Sequence, residues 1–273
     1  MSLQKTLNNR SQYYGYVNNY LRNSDMKYIC LDKIGSKSKN ASVYLCKGTV
    51  GIGRMLKWVT KKYGKYAMKD INLSVRLSSL VLRGINPHFN IVYRMQRDLM
   101  LCEAAAGDLK AFLMGSDVSY EVMLNCLQQI IICILSFHVH CELVHTDCYL
   151  GNFLYHKIVP GGWVHYCIDG KDIYIENLGY LWMINDFDLV TEPDTADDTY
   201  KQDYLVVLEA LSIYKKDKKF GEKLKEILEI VDAVSNDTMD VYEIFNMLLE
   251  NTDIFRTREC KPPQERINNI YVL

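Results

Sequence analysis

The chain has 273 residues, of which 49% are hydrophobic and 24% are charged, and its formal net charge at pH 7 is −1. This apolar content is sufficient for the core of a soluble globular protein of one or two domains. Because the net charge is close to zero, there is no overall basic field, and neither nucleic acid nor membrane is expected as a partner. The composition leaves the oligomeric state open.

Cysteine usage and the N-terminal sequence both indicate an intracellular protein. The nine cysteines are odd in number and form no CxxC pair, so we interpret them as reduced thiols that fill the core. The N-terminus has no apolar signal-like stretch, and the longest apolar run, Ile130 to Leu135, is too short to span a bilayer. We therefore expect a cytoplasmic location.

The first part of the chain predicts an N-terminal extension followed by a small sheet. Residues 1–27 are rich in Asn, Ser and Tyr with weak periodicity, and they are interpreted as the extension. From Tyr28 to Lys69, apolar alternation broken by Gly and Ser predicts three antiparallel strands, the last of which ends at Lys69. A local basic run is interpreted as a solvated strand edge or hairpin, and it consists of Lys57, Lys61, Lys62 and Lys65.

One helix and two further strands complete this β-rich lobe. Apolar residues at helical spacing predict a helix over residues 73–84. Short apolar runs near residues 91–94 and 98–102 predict two strands. The lobe is therefore expected to span residues 28–102.

The rest of the chain predicts a larger, mainly helical lobe over residues 103–250. The stretch SYEVMLNCLQQIIICILSFHVH begins with a Ser cap and is apolar nearly all round, which predicts a buried helix. Two glycine-containing turns and the alternating stretches WVHYCI and DIYIE predict a hairpin insertion over residues 156–176. Two or three amphipathic helices follow over residues 200–250, and residues 251–273 are expected to form a short polar tail. The predicted fold class is α+β.

Three polar residues at the ends of apolar runs form the candidate catalytic constellation. Asp147 and Asn152 interrupt the run LVHTDCYLGNFLY, and Asp186 follows the strand-like LWMIN. Two carboxylates and an amide supply hard oxygen ligands and a possible base, the set that phosphoryl transfer with Mg²⁺ uses. Upstream, the turn in IGSKSKNASVY is a candidate phosphate cover, and YAMKD places Lys69 at the end of a predicted strand.

These motifs, in this order, resemble the signature of the protein-kinase superfamily. HTDCYLGN is similar to the HxDxxxxN catalytic loop, DFD stands where DFG is usual, and AMK matches the strand lysine of VAIK. The segments INPHF and HKIVPGGWVHY resemble the compact serine/threonine kinase-like proteins of large DNA viruses. The resemblance covers about Tyr28 to Glu250. It implies a bilobal protein-kinase-like fold, ATP and Mg²⁺ as cofactors, a protein substrate, and the host cytoplasm or a virion as location.

The resemblance implies a role for each matching position in the reaction. Asp147 would orient or deprotonate the acceptor hydroxyl. Asn152 and Asp186 would hold Mg²⁺, and Lys69 would contact the α- and β-phosphates.

A second set of positions would bind the nucleotide. The turn that begins at Gly35 and Ser36 and continues to Val43 would lie over it. The backbone of the hinge, which runs from Glu103 through Ala105 to Ala106, would pair with adenine.

The sequence departs from the kinase pattern at several places. No Glu or Asp occurs between Asp70 and Asp98, so the helix predicted over 73–84 offers no acidic partner for the strand lysine. Thr146 replaces the Arg of HRD, and Asp188 replaces the Gly of DFG. The short segment before Asp203 leaves no room for a long activation segment, so control by its phosphorylation is not expected.

Two neighbouring residues are assigned structural roles. We expect His145 to form a hydrogen bond with backbone near the strand that leads to the metal site. We expect Asp203, near the start of the next helix, to accept backbone N–H bonds from the catalytic loop.

Three functions remain open at this point. The first is a Ser/Thr protein kinase, in which the serine/threonine preference comes from the resemblance. The second is a kinase-fold enzyme that phosphorylates a small molecule, which DFD and the short segment after it favour. The third is a pseudokinase that acts as a binding module, which the missing acidic partner of Lys69 favours.

Overall fold

The computed structural model shows a mixed α+β protein with mainly antiparallel sheets, as predicted from the order of elements. It describes residues 10, 29–34, 41–50, 54–63, 68–96, 98–115, 118–194, 199–213, 217–235, 239–255 and 267–273. Elements are numbered below in chain order within these ranges.

A five-stranded antiparallel sheet forms the first part of the fold, in the order β1-β2-β3-β5-β4. Its strands are β1 (Ile29–Ile34), β2 (Ala41–Val50), β3 (Arg54–Tyr63), β4 (Val92–Gln96) and β5 (Leu99–Glu103). Because β3 pairs with β2 on one side and β5 on the other, it is an inner strand. The interpretation of the lysine run as a sheet edge is therefore wrong, whereas its interpretation as part of a hairpin is confirmed by the antiparallel pairing of β2 and β3. Lys61 on β3 is buried rather than solvated.

The third strand lies earlier than predicted, and helix α1 (Met68–Leu82) begins where that strand was expected to end. Leu73, Leu77 and Val81 recur at helical spacing and are buried, which favours a helix over an edge strand. Asp70 lies in the first turn, where its negative charge interacts favourably with the positive end of the helix dipole. The predicted strand ending at Lys69 is wrong, because Lys69 lies in the first turn of α1 and its side chain is exposed.

Five further helices follow α1 in the described part of the chain. They are α2 (Leu109–Gly115), α3 (Tyr120–Cys141), α4 (Tyr200–Ile213), α5 (Lys218–Ala233) and α6 (Glu243–Asn251). The predicted cap of α3 is confirmed, because the side chain of Ser119 accepts a hydrogen bond from the Val122 amide. Helix α3 is the centre of the core, and its residues 130–135 are fully buried.

Helix α3 is long and apolar enough, by length and composition alone, to cross a membrane. The expectation that no apolar stretch reaches this length is therefore wrong for α3. In the structure 78% of its most apolar window is buried inside the protein, which is also the pattern of a core helix.

Two three-stranded sheets lie among the helices. The first consists of β6 (Gly107–Asp108), β7 (Phe153–Lys157) and β10 (Tyr180–Ile184). The second consists of β8 (Trp163–Ile168), β9 (Lys171–Glu176) and β11 (Ile267–Val272). The predicted hairpin is confirmed as the antiparallel pair β8 and β9.

The C-terminal segment differs from the polar tail predicted for residues 251–273. Strand β11 pairs in parallel with β8, and Tyr271 and Leu273 are buried while Val272 is 67% exposed. This alternation is that of a half-buried strand. The sequence did not reveal it because its partner strand lies about a hundred residues away.

Candidate active site

The loop between α3 and β7 is held in place by Asp203, which lies in the first turn of α4. One carboxylate oxygen accepts the backbone N–H of His145 at 2.7 Å, and the other accepts that of Thr146 at 2.8 Å. Burial alone would raise the pKa of Asp203, but its hydrogen bond and charge interaction with His138 lower it overall. The role predicted for Asp203 is confirmed, because an ionised, buried carboxylate anchors the loop backbone.

His145 connects this loop to the strand that carries Asp186. Its Nε2 lies 3.2 Å from the carbonyl oxygen of Asn185, the residue before Asp186. Burial lowers the pKa of His145, so the neutral ring donates this hydrogen bond. The ring also packs edge-on against Phe187 at 5.5 Å. The structural role predicted for His145 is confirmed.

Asp147 and Asn152 form a hydrogen-bonded pair within the loop. The Asn152 Nδ2 donates to the Asp147 Oδ2 at 2.7 Å and to the Asp147 carbonyl at 2.8 Å. The Asn152 carbonyl in turn accepts the backbone N–H of Asn185 at 2.9 Å. Asn152 therefore fixes the Asp147 carboxylate and joins the loop to the end of β10.

Asp186 lies directly beyond β10, in a left-handed backbone conformation with φ 72°. Burial raises its pKa, and the positive charge of Lys61 opposes that shift. The pKa is raised further by three other carboxylates, those of Asp70, Asp188 and Asp147. The charge of Asp147 therefore acts at Asp186, and the predicted residues Asp147, Asn152 and Asp186 come together at one place in the fold.

Three carboxylates form an acidic centre that the sequence predicted only in part. Ligand oxygens of Asp70, Asp186 and Asp188 all lie within 4.8 Å of one another. Hard carboxylate oxygens at this spacing suit Mg²⁺, and a divalent cation would remove the repulsion that raises the pKa of Asp186. The donor set therefore fits the metal that the motifs imply.

Lys61 is the buried cation next to this acidic centre. Its Nζ lies 3.6 Å from the Asp70 Oδ2, and the two side chains are 8% and 1% exposed. Burial would lower the pKa of Lys61, but the charges of Asp70 and Asp186 outweigh it and raise the pKa. Lys61 is therefore charged and paired within the fold.

Asp70 also joins three separate parts of the chain. Besides Lys61 on β3, it accepts hydrogen bonds from the Tyr63 hydroxyl, from the Ser74 Oγ at 3.0 Å and from the Phe187 backbone N–H at 3.1 Å. The helix therefore does offer an acidic residue to a strand lysine, but that lysine is Lys61 and not the predicted Lys69. The sequence predicts the start of this helix at residue 73, which leaves Asp70 outside it, whereas the helix begins at Met68.

Lys69 does not occupy the position predicted for it. Its Nζ donates to the carbonyl oxygen of Val190, two residues beyond Asp188. This contact ties the start of α1 to the segment after the acidic centre, but the lysine that pairs with Asp70 is Lys61.

Among the residues predicted to lie over the nucleotide, Val43 can be placed. In the register of the sheet it lies directly opposite Lys61, so the two side chains point to the same face. Gly35 and Ser36 lie outside the described residues.

The predicted hinge residue Glu103 has a buried side chain with several partners. Its carboxylate accepts hydrogen bonds from the Arg10 Nε at 3.0 Å and the Ile91 N–H at 2.7 Å, and it lies 3.1 Å from the His156 Nε2. Burial opposes ionisation, but the charges of Arg10 and His156 lower the pKa of Glu103 to about 2. Ala105 follows in the partly buried connection between β5 and β6.

Arg10 is a buried residue that the sequence reading missed. It also donates to the carbonyl oxygens of Pro87 at 3.0 Å and Phe89 at 2.8 Å. Arg10 lies in the predicted N-terminal extension, to which the sequence assigns no role. No local pattern around it indicates a contact with residues more than 70 positions away.

Comparison with known proteins provides no family for this chain. No protein-family model matches the sequence, and no curated protein matches it. The functional argument therefore rests on the geometry of the site and on the motifs.

Proposed function

We propose that the protein is an ATP- and Mg²⁺-dependent phosphotransferase with a bilobal protein-kinase-like fold, and that it acts as a Ser/Thr protein kinase. The five-stranded sheet with α1 would be the smaller lobe, and the helical remainder the larger one. The observation that carries the proposal is the buried Lys61–Asp70 pair, in which 3.6 Å separates the Lys61 Nζ from the Asp70 Oδ2. The charges of both residues act on Asp186. A strand lysine paired with a carboxylate on the following helix is the arrangement that positions phosphates in kinases.

In this proposal Lys61 takes the role that the motif match gave to Lys69. Its ammonium group lies on the same face of the sheet as Val43, and it would contact the α- and β-phosphates. Asp70 holds the Lys61 side chain, so the charge is positioned before the nucleotide arrives.

Asp186, Asp188 and Asn152 would hold Mg²⁺, because both oxygens of Asp70 are already engaged within the protein. The Asn152 Nδ2 is used by Asp147, which leaves the amide Oδ1 as the ligand atom. Asp186 supplies a carboxylate, and Asp188 adds a second one from the same turn. Bound Mg²⁺ would neutralise the charge of the triphosphate.

Asp147 would receive the acceptor hydroxyl. Its Oδ2 is fixed by Asn152 at 2.7 Å, so the carboxylate is held in one orientation. The proton of the hydroxyl would pass to Asp147 as the oxygen attacks the γ-phosphorus and the bond to the ADP oxygen breaks. Positioning of this kind contributes much of the rate in phosphoryl transfer.

The two alternatives differ in what supports them. The pseudokinase alternative loses its main support, because the acidic partner that the sequence lacked is Asp70. A kinase-fold enzyme for a small hydroxylated molecule keeps one specific support, which is the second carboxylate of DFD, Asp188, within the acidic centre.

Asp186→Asn tests the proposal. Saturating ATP with Mg²⁺ should raise the melting temperature of the parent protein by about 5–10 °C if the ligand is present at 100 times its dissociation constant. Asp186→Asn should remove the Mg²⁺-dependent part of that shift and all phosphotransfer, whereas the matched control Asp98→Asn, at an exposed turn, should change neither.

The acceptor class is tested separately with labelled ATP. Protein acceptors are compared with small hydroxylated acceptors such as aminoglycosides and choline. Transfer only to small acceptors would replace the protein-kinase assignment by the alternative. Transfer to neither, together with no thermal shift at millimolar nucleotide, would refute phosphotransfer altogether.

A further inference from the structure

Tyr63 is a buried residue at the end of β3, and its hydroxyl lies at the Lys61–Asp70 pair. Because Lys61 and Tyr63 are two positions apart on this strand, both side chains leave the same face of the sheet. That face meets the first turn of α1, where Asp70 lies. Tyr63 is therefore a second residue of β3, besides the proposed phosphate contact Lys61, that acts on Asp70.

The partners of Asp70 divide between its two carboxylate oxygens. The Oδ1 atom accepts hydrogen bonds from the Ser74 Oγ at 3.0 Å and from the Phe187 backbone N–H at 3.1 Å. The Oδ2 atom accepts the hydrogen bond of the Tyr63 hydroxyl, and the Lys61 Nζ lies 3.6 Å from the same atom. Tyr63 and Lys61 therefore meet at a single oxygen, whereas Ser74 uses the other one.

The two distances show which donor holds the Oδ2 atom. The Tyr63 hydroxyl forms a direct hydrogen bond with it, whereas 3.6 Å places the Lys61 Nζ beyond hydrogen-bond distance. Burial raises the pKa of Tyr63, and the charge of Asp70 raises it further, so the hydroxyl keeps its proton and remains a donor. Asp70 therefore attracts Lys61 by charge and not through a direct hydrogen bond.

This arrangement leaves the N–H groups of Lys61 uncommitted to Asp70. An ammonium group has three N–H donors, and a direct hydrogen bond with a carboxylate uses one of them at about 2.7–2.9 Å. Without the Tyr63 hydroxyl, the Oδ2 atom would regain an acceptor position, and Lys61 would move about 0.8 Å towards it to form that bond. One N–H of Lys61 would then be committed to α1 rather than to a ligand.

We propose that Tyr63 is a positioning residue of the nucleotide site, because it occupies the Asp70 Oδ2 and thereby keeps the Lys61 ammonium group available for an anionic phosphate group. Its hydroxyl acts through Asp70 and Lys61 and does not itself contact the nucleotide. The assignment of the anion to the phosphates of ATP rests on the proposed function, whereas the competition of Tyr63 and Lys61 for one oxygen does not.

The competition is tested first, in the full chain without nucleotide. In isotope-labelled protein, NMR scalar coupling across a hydrogen bond, between the Lys61 Nζ and the Asp70 Cγ, reports whether the two side chains are directly bonded. The parent should show no coupling, and Tyr63→Phe, which removes only the hydroxyl, should show one. The matched variant Ser74→Ala removes a hydroxyl from the other oxygen of the same carboxylate and should show none.

Three coupling results would overturn the proposal. The first is a coupling in the parent, which decides the matter even if a variant fails to fold. The second is the absence of coupling from folded Tyr63→Phe. The third is an equal coupling in Ser74→Ala, which would indicate a general loosening of Asp70 rather than competition at its Oδ2.

Nucleotide affinity then tests the consequence for the site. Tyr63→Phe should raise the dissociation constant of ATP with Mg²⁺ about tenfold, because Lys61 would give one charged hydrogen bond to Asp70 instead of to a phosphate. The KM for ATP should rise in parallel with little change in kcat. Ser74→Ala should leave the dissociation constant within about twofold of the parent value, because the bond that it removes is at Oδ1. A merely structural role of Tyr63 would lower the melting temperature of both variants and leave their dissociation constants equal.

The outcomes separate this inference from the proposed function. Equal ATP affinity in the parent and in Tyr63→Phe would overturn the positioning role while phosphotransfer stands. Binding of inorganic pyrophosphate that Tyr63→Phe weakens, without any binding of ATP, would support the positioning role and refute the proposed function. Binding of neither ATP nor pyrophosphate by the parent would overturn both.

Discussion

Two lysines that are close in sequence differ completely in environment, and their exchange for Met tests the proposed site most sharply. Lys61→Met removes a buried ammonium group that lies 3.6 Å from Asp70. Lys69→Met removes an exposed ammonium group whose bond is to the Val190 carbonyl. The sequence motif alone favours Lys69, and the structure favours Lys61.

The expected magnitudes follow from the pair geometry. At an effective dielectric constant of about 20, unit charges 3.6 Å apart attract by about 4–5 kcal/mol, and removing one partner of a buried pair costs about 3–5 kcal/mol. Lys61→Met should therefore lower the free energy of unfolding by about 3–5 kcal/mol. It should also reduce kcat/KM by several powers of ten. Lys69→Met, a surface change, should alter the free energy of unfolding by about 0.5 kcal/mol or less and leave activity nearly intact.

The assay combines urea unfolding with phosphotransfer at saturating Mg²⁺ and ATP. Because Lys61→Met leaves Asp70 buried and unpaired, a second variant, Lys61→Met/Asp70→Asn, should recover part of the stability and none of the activity. Circular dichroism shows whether each variant is folded. Full activity in Lys61→Met, or an equal loss of activity in folded Lys69→Met, would refute the reasoning.

Three further predictions concern stability. Asp186→Asn should increase the free energy of unfolding of the metal-free protein at pH 7. The pKa of Asp186 in the folded protein is raised above its ordinary value of 3.8, so ionisation of this carboxyl destabilises the folded state as the pH rises. The increase, measured by urea unfolding, should vanish below about pH 4, where the carboxyl is protonated in both states. An unchanged free energy of unfolding at pH 7 would contradict the repulsion between Asp186 and its neighbouring carboxylates. Arg10→Met should lower the free energy of unfolding by about 3–5 kcal/mol, because it removes the main countercharge of the buried Glu103 carboxylate. Adding Glu103→Gln should recover part of that loss, and no recovery would contradict the importance of the pair. Tyr271→Ala should lower the free energy of unfolding by about 3–5 kcal/mol, because the side chain is buried. Val272→Ala, at a 67% exposed side chain, should lower it by less than about 0.5 kcal/mol, and equal losses would contradict the alternating burial of β11.

Local patterns predicted the contacts of the loop between α3 and β7 well, because these contacts depend on short motifs with fixed spacing. The roles of His145 and Asp203 followed from their places beside Asp147 and at a helix start, and the hydrogen bonds confirm both. The buried helix α3 and the β8–β9 hairpin followed from periodicity and turn residues.

The missed features depend on contacts between distant segments. The alternation around residues 66–68 is too short to distinguish a strand from the start of a helix, and the AMK match therefore assigned the phosphate contact to Lys69 without Lys61 as a candidate. Burial distinguishes them, because Lys61 lies on the face of β3 that meets Asp70, whereas Lys62 on the same strand is exposed. Arg10 and β11 reach partners that a local pattern cannot indicate.

The position of Asp70 couples two parts of the candidate site. The same carboxylate that holds Lys61 also accepts the backbone N–H of Phe187, so the strand lysine and the Asp186 turn are fixed by one side chain. A movement of α1 that separates Asp70 from Lys61 would also release the Phe187 amide. Because α1 is itself packed into the core through Leu77, this coupling belongs to the folded state.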